Sequence, residues 1–165
     1  MNHVQQRRPE TIVECSSGAS TVVLAKCLQR LGKGQVYSLE HDPVYAEKTR
    51  RSLAEAGLSD WATIIDAPLA EHRIDTETWQ WYSLDGFPDV PIDMLVIDGP
   101  PRFVSPLARY PAGPILFPRL APQGVVFLDD AARDDESRIM ARWRAEWPRL
   151  GCVRYDTEKG ATLLR

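Results

Sequence analysis

The feature that most constrains this chain is a repeated unit: a short apolar run that closes on a carboxylate, followed by a turn and a helical segment. Thr11 to Glu14 is the first such run, and Thr21 to Leu31 then carries Val22, Val23, Leu24, Cys27, Leu28 and Leu31 at helical spacing. Gln35 to Glu40 reads as a second strand, and Pro43, favoured in a first helical turn, opens a helix through about Ala56. Ala62 to Asp66 makes a third strand, Ile92 to Asp98 a fourth, and Gly124 to Asp129 a fifth. A Pro-flanked helix from about Leu107 to Leu120 separates the last two. Strands alternating with helices predict a parallel sheet with helices on both faces, because a parallel crossover must leave the sheet and return. The expected fold is therefore doubly wound α/β. A further helix from about Asp134 to Trp147 and a β-hairpin from Cys152 to Leu164, broken near residues 156–160, add an antiparallel edge. The stretch Ala70 to Pro91 is acidic, aromatic and too long for a simple connector, and reads as an irregular substrate or lid insertion.

The 165 residues fit one domain, 1–165, with no linker or repeat dividing it. A net charge of −3 speaks against a general nucleic-acid surface, which shows as a basic excess. Cys15, Cys27 and Cys152 form no CxxC pair and read as reduced thiols. No run reaches the ~20 apolar residues of a membrane span, and the first residues lack a signal-type apolar core, so the expected location is cytoplasmic.

In doubly wound sheets ligands bind beyond the carboxyl ends of the strands, near the point where strand order reverses. All five predicted strands end there in acids: Glu14, Glu40, Asp66, Asp98, and Asp129 with Asp130. Taken singly, each is more readily a cap or turn residue; their shared rim favours a site. The first turn, Ser16-Ser17-Gly18-Ala19-Ser20, is built of small residues that let backbone and helix amides approach a negatively charged group. It has neither the three-glycine spacing of a dinucleotide site nor the Gly-Lys-Ser/Thr of a P-loop, which disfavours a nicotinamide-dependent dehydrogenase; a ligand bearing a carboxylate fits better. Glu40 follows Gly18 by 22 positions, where an acid can accept hydrogen bonds from both ribose hydroxyls. Asp98, Asp129 and Asp130 converge at the ends of neighbouring strands, and carboxylates so placed favour a divalent cation such as Mg²⁺ or Ca²⁺. The bland alternative is that Asp129 or Asp130 caps the next helix while Asp98 organises the Gly99-Pro100-Pro101 turn. Arg109 reads first as a partner for a nearby carboxylate, Trp79, Trp81 and Tyr82 as anchors more than as a sugar platform, and Trp143 with Trp147 as a packing stripe.

As an ordered set, Ile12-Val13-Glu14-Cys15-Ser16-Ser17-Gly18-Ala19-Ser20-Thr21, Ser38-Leu39-Glu40-His41-Asp42-Pro43, Ile65-Asp66-Ala67-Pro68-Leu69, Ile97-Asp98-Gly99-Pro100-Pro101, Ala108-Arg109-Tyr110-Pro111 and Leu128-Asp129-Asp130-Ala131 resemble the class I methyltransferase family. The resemblance is to a bacterial O-methyltransferase-like group associated with polysaccharide or antibiotic-sugar modification. It spans nearly the whole chain, although the family's first turn is usually richer in glycine. It implies a Rossmann-like fold and S-adenosylmethionine as cofactor. Glu14, Ser16, Gly18 and Ser20 would then form the cofactor turn, Glu40 would hold the ribose, His41 would neighbour the nucleoside, and Asp66 with Ala67 would contact adenine. In sugar O-methyltransferases that the chain resembles, a trio equivalent to Asp98, Asp129 and Asp130 binds Mg²⁺, and Asp98 would act as base. The acceptor implied is a sugar or another hydroxylated small molecule. The first strand starts about ten residues in, where related enzymes usually have a covering segment. Cover would then come from a homo-oligomer or from Ala70 to Pro91, or the chain would be a non-catalytic cofactor-binding module of a larger assembly.

Overall fold

The computed structural model describes residues 2–155 and 161–164. In chain order it runs α1 (Asn2–Arg7), β1 (Thr11–Cys15), α2 (Ala19–Leu31), β2 (Gln35–Glu40), α3 (Pro43–Glu55), β3 (Ala62–Asp66), β4 (Leu69–Ile74), β5 (Glu77–Tyr82), β6 (Ile92–Ile97), α4 (Ala112–Leu116), β7 (Leu120–Asp129), α5 (Asp134–Glu146), β8 (Cys152–Tyr155) and β9 (Ala161–Leu164). Seven strands form one sheet in the order β3-β2-β1-β6-β7-β9-β8. The pairs from β3 through β7 are parallel, and β9 adds to β7 antiparallel, with β8 outside it. The doubly wound α/β expectation holds. Strand order reverses between β1 and β6, which fixes the ligand crevice at their carboxyl ends.

Strand periodicity divides the core. Val13, Cys15, Leu39, Leu95, Ile97, Val126 and Leu128 face Tyr110, Leu116, Ile139 and Trp143 in one buried layer. Ile12, Val36, Ile64 and Met94 face Leu24, Leu28, Ala46 and Leu53 of α2 and α3 in the other. Glu14 alternates with Val13 and Cys15, and Glu40 with Leu39, so both carboxylates end up on the α2–α3 side. The helices start where local chemistry dictates: Asp42 accepts from Val44 N at 2.8 Å and Tyr45 N at 3.4 Å, with Pro43 at the first helical position.

Three expectations need correcting. The segment Ala70 to Pro91 is not irregular: β4 and β5 pair in register from Leu69↔Tyr82 to Ile74↔Glu77 as a separate two-stranded sheet. Its aromatic residues dock it, since Trp81 and Tyr82 have no exposed surface and Trp79 packs on Tyr110 at 4.7 Å between ring centroids. The side chains read as insertion anchors therefore do anchor it to the core. The helix expected over Leu107 to Leu120 shrinks to Ala112–Leu116 and a 3₁₀ turn, Phe117–Arg119. Pro111, Pro114 and Pro118 remove the amides that a continuous ladder needs, and Leu107 sits at φ 53°. The last parallel strand begins at Leu120, not Gly124, and absorbs the extra length through a register shift against β6 between Ile92 and Met94. Trp143 is fully buried, donates its indole N–H to Tyr110 O at 3.0 Å and lies beside Phe117, which also touches Trp147. The turn expected at residues 156–160 lies outside the described residues. Among those described, no helix is long and apolar enough to cross a membrane.

Candidate active site

Two groups of side chains occupy the carboxyl rim, one on each side of the reversal point. The first is organised by Glu14, which has no exposed surface. Its Oε2 accepts from the Thr21 and Ser38 hydroxyls, the latter at 2.9 Å, and Thr21 Oγ1 in turn accepts from Gly18 N at 3.0 Å. One carboxylate thus ties the first turn of α2 to the ends of β1 and β2. Burial pushes the Glu14 carboxyl above its ordinary value, with the hydroxyls of Ser20, Thr21 and Ser38 pulling the other way. Glu14 Oε1 is buried and has no partner. Between Glu14 and α2 the chain passes through Ser16 at φ 106° and Gly18 at φ 152°. Both lie in the positive-φ region, so the turn depends on glycine at one position and holds a serine in an uncommon conformation at the other.

Glu40 is 4% exposed and already oriented: Oε2 accepts from Ser17 Oγ at 2.9 Å and Oε1 from Asp42 N at 3.1 Å. Ser17, which the sequence reading placed in the turn without a role, thereby becomes the link between the turn and Glu40. His41 Nδ1 lies 3.2 Å from Glu40 Oε1 but makes no aligned hydrogen bond. Asp66 points outward and pairs with Arg50 at 2.7 Å, while Ala67 is fully buried and donates its N–H to Glu40 O at 2.8 Å. The two residues expected at adenine therefore differ in access: Asp66 is free to reach a ligand only beside Arg50, and Ala67 serves the rim through its backbone. Ser20 is exposed on the first turn of α2.

The second group is the acidic trio. Ligand oxygens of Asp98, Asp129 and Asp130 lie within 4.8 Å of one another, at the ends of the adjacent strands β6 and β7. Neither Asp129 nor Asp130 caps α5, whose N-cap position is Arg133. Arg109 sits among them, 4% exposed, donating to Asp129 O at 2.9 Å, Asp98 O at 2.6 Å, Asp98 Oδ1 at 3.0 Å and Asp130 Oδ2 at 3.3 Å. Glu136 lies 3.5 Å from the same guanidinium, and Arg133 reaches Asp130 at 2.8 Å. The expectation that Arg109 pairs with a carboxylate was right but too small, because its fork spans the ends of two strands. Burial raises Asp98 above the usual carboxylate range; Arg109 opposes this and the neighbouring Asp129 and Asp130 charges reinforce it. A cleft of about 300 Å³ leads from Asp98 and Asp129 along Val23, Leu24, Val96 and Phe127.

The donor sets suit two absent groups. Buried, unpartnered Glu14 Oε1 and the unaligned His41 Nδ1 flank a small-residue turn, as a polar nucleoside bearing an amino acid requires. Three carboxylates, Asp98, Asp130 and Glu136, pair with two guanidiniums, and the Asp129 carboxylate lies beside them, giving all-oxygen donors of the kind that hold a hard divalent cation.

A family profile described as a methyltransferase domain matches residues 13–131. No curated protein matches the chain at a significant level. Among solved structures, an O-methyltransferase from Bacillus cereus in complex with SAH is 17% identical, with TM-score 0.71 over 99% of this chain and 77% of that one. The SAH-bound methyltransferase PaMTH1 of Podospora anserina is 16% identical, with TM-score 0.69 over 99% and 74%. The O-methyltransferase TomG of Streptomyces achromogenes, involved in tomaymycin synthesis and solved with SAM, is 17% identical, with TM-score 0.67 over 99% and 75%. At these identities the likeness is one of fold.

Proposed function

The chain belongs to the methyltransferase domain family, of the S-adenosylmethionine-dependent class I type, and from that premise we propose that it acts as one domain, transferring a methyl group to a hydroxyl oxygen of a small molecule with the help of a divalent cation. The observation that carries this reading is the juxtaposition of two groups across the β1–β6 reversal: the Glu14–Ser16–Gly18–Ser20 turn with Glu40 and His41 on one side, and Asp98, Asp129 and Asp130 on the other. The cofactor supplies an electrophilic sulfonium methyl, and Mg²⁺ or a similar cation lowers the pKa of a bound hydroxyl.

The residues have the following work. Glu40, held from behind by Ser17 and Asp42 N, keeps lone pairs for the ribose hydroxyls, and His41 and the Asp66–Ala67 segment border the nucleoside. The turn residues Ser16, Gly18 and Ser20 receive the amino-acid end, where backbone amides meet a carboxylate. Asp98, whose carboxylate lies at the end of β6 beside the cleft, would remove the acceptor proton. Asp129 and Asp130 would hold the cation with Asp98. Methyl transfer is an in-line displacement, so alignment of oxygen and methyl is the main demand on the protein. The cleft beside Asp98 and Asp129 is lined by Val23, Leu24, Val96 and Phe127, which supports a hydroxylated acceptor, sugar or otherwise, with an apolar surface to lay against them. With a net charge of −3, a nucleic-acid acceptor is the poorer fit.

Calorimetric titration with S-adenosylmethionine and S-adenosylhomocysteine, with and without Mg²⁺, tests this on the wild type, Glu40→Ala and Asp98→Asn. Nucleotide binding that weakens by about two orders of magnitude with Glu40→Ala and survives Asp98→Asn is expected. Absence of binding to the wild type sinks the reading. Binding without any Mg²⁺ response, in the presence of hydroxylated acceptors, removes the cation, and binding without turnover leaves a cofactor-binding module.

A further inference from the structure

We propose that Tyr82, supplied by the β4–β5 hairpin, is a cofactor-binding residue whose phenol hydroxyl hydrogen-bonds the amino-acid end of S-adenosylmethionine; the proposal rests on the cofactor reading above. Tyr82 has no exposed surface, and its Oη has no hydrogen-bond partner. A phenylalanine would fill the same space without stranding a polar atom, so packing alone gives no reason for the oxygen. Its location gives one. A Cβ placed on Gly99 would lie 2.3 Å from Tyr82 Oη, 3.1 Å from Ser16 Cβ and 3.2 Å from Cys15 O. The hydroxyl therefore sits beneath the seam between the end of β1 and the turn that follows β6, where the sheet reverses, and Gly99 is the residue that leaves room for it.

The ring also reaches toward β2, with 5.9 Å between its centroid and that of His41. Glu40 and His41, at the end of β2, mark the nucleoside side, and the Ser16–Ser20 turn at the end of β1 marks the amino-acid side. Tyr82 Oη lies toward the latter, meeting Gly99 beside Ser16 and Cys15. Ser16 is also held at φ 106°, a conformation uncommon for serine. An unpartnered phenol hydroxyl at that place can donate to a carboxylate or accept from an ammonium.

The test compares wild type with Tyr82→Phe by calorimetry, using S-adenosylhomocysteine and 5′-methylthioadenosine, which retains the nucleoside and sulfur but lacks the amino-acid end. Expected is an approximately tenfold weaker affinity for S-adenosylhomocysteine, unchanged affinity for methylthioadenosine, and a thermal midpoint of the free protein equal to or above wild type. Unchanged S-adenosylhomocysteine binding overturns the proposal, and so does an equal loss for both ligands, which is what a distorted site produces. Failure of the wild type to bind either nucleotide overturns the cofactor reading itself and is thereby distinguishable. Should Tyr82→Phe not fold, 3-fluorotyrosine placed at position 82 gives a fluorine resonance that must shift with S-adenosylhomocysteine and not with methylthioadenosine; no shift overturns the assignment.

Discussion

Replacement of Arg109 by methionine is the perturbation that asks most of this structure. The guanidinium makes four hydrogen bonds, two of them to the main-chain carbonyls that end β6 and β7, and lies within ion-pair distance of Asp98, Asp130 and Glu136. Asp130 and Glu136 are nearly inaccessible, with side-chain exposures of 8% and 4%. Without Arg109 the remaining guanidinium is Arg133, whose side chain is 42% exposed and which reaches Asp130 alone. Removing one member of a buried ion pair costs about 3–5 kcal/mol, because the other is left charged and desolvated. A chain of this size loses roughly 2–4 °C of melting midpoint per kcal/mol, so Arg109→Met should melt roughly 6–20 °C below wild type. Arg109→Lys keeps the charge but loses the planar fork that serves two strands at once, and should fall between the two. Urea denaturation and calorimetric melting at neutral pH measure both. A loss under about 1 kcal/mol for Arg109→Met would mean that burying the guanidinium cancels what its contacts return, and the view of Arg109 as the tie between the strand ends would be wrong.

Asp98→Asn should lower methyl transfer at least about 10²-fold while leaving S-adenosylhomocysteine affinity near wild type. In the metal-free protein burial raises Asp98 above its ordinary value. Its stability contribution is complete below the ordinary carboxylate value and is lost as pH climbs through the folded one, so Asp98→Asn should flatten the pH dependence of melting of the metal-free protein. Glu40→Ala should weaken the cofactor by about two orders of magnitude, from two charge-assisted hydrogen bonds of about 1.5 kcal/mol or more each, and a titration showing less than a threefold change would count against the ribose assignment. Gly113→Ala places a methyl 2.2 Å from Trp143 Nε1; chemical denaturation should show a net loss of about 1–3 kcal/mol, despite alanine's better helix propensity.

What could be read from the chain divides along physical lines. The parallel strands and α2, α3 and α5 were visible because apolar periodicity and caps such as Asp42 act over neighbouring residues. The acids at the strand ends were visible for the same reason, since strand length sets where each run stops. Arg109 was legible only as a charge: that one guanidinium would bridge β6 and β7 depends on residues 11 and 21 positions away. Tyr82 was grouped with Trp79 and Trp81 as an anchor, and nothing local distinguishes a phenol that packs from one that also meets Gly99. The hairpin was missed because β4, Leu69–Ile74, alternates polar with half-buried residues, Glu71 and Arg73 among them, and so lacks an apolar run. α4 is shorter than the Leu107–Leu120 stretch because Pro111, Pro114 and Pro118 fall inside that stretch.

The antiparallel strand β9 pairs Ala161 with Asp129 and Leu164 with Val126, backing the acidic corner from the side away from β6. The cofactor half of the rim, by contrast, is built from β1, β2 and β3, joined by consecutive βαβ crossovers within the first 66 residues. As the polypeptide is translated, the nucleoside shelf therefore has its own neighbours well before the acidic corner has its outer strand. Because Leu163 and Leu164 of β9 are buried in the two core layers that the earlier strands share, the strand that completes the acidic corner also closes the core on both faces of the sheet.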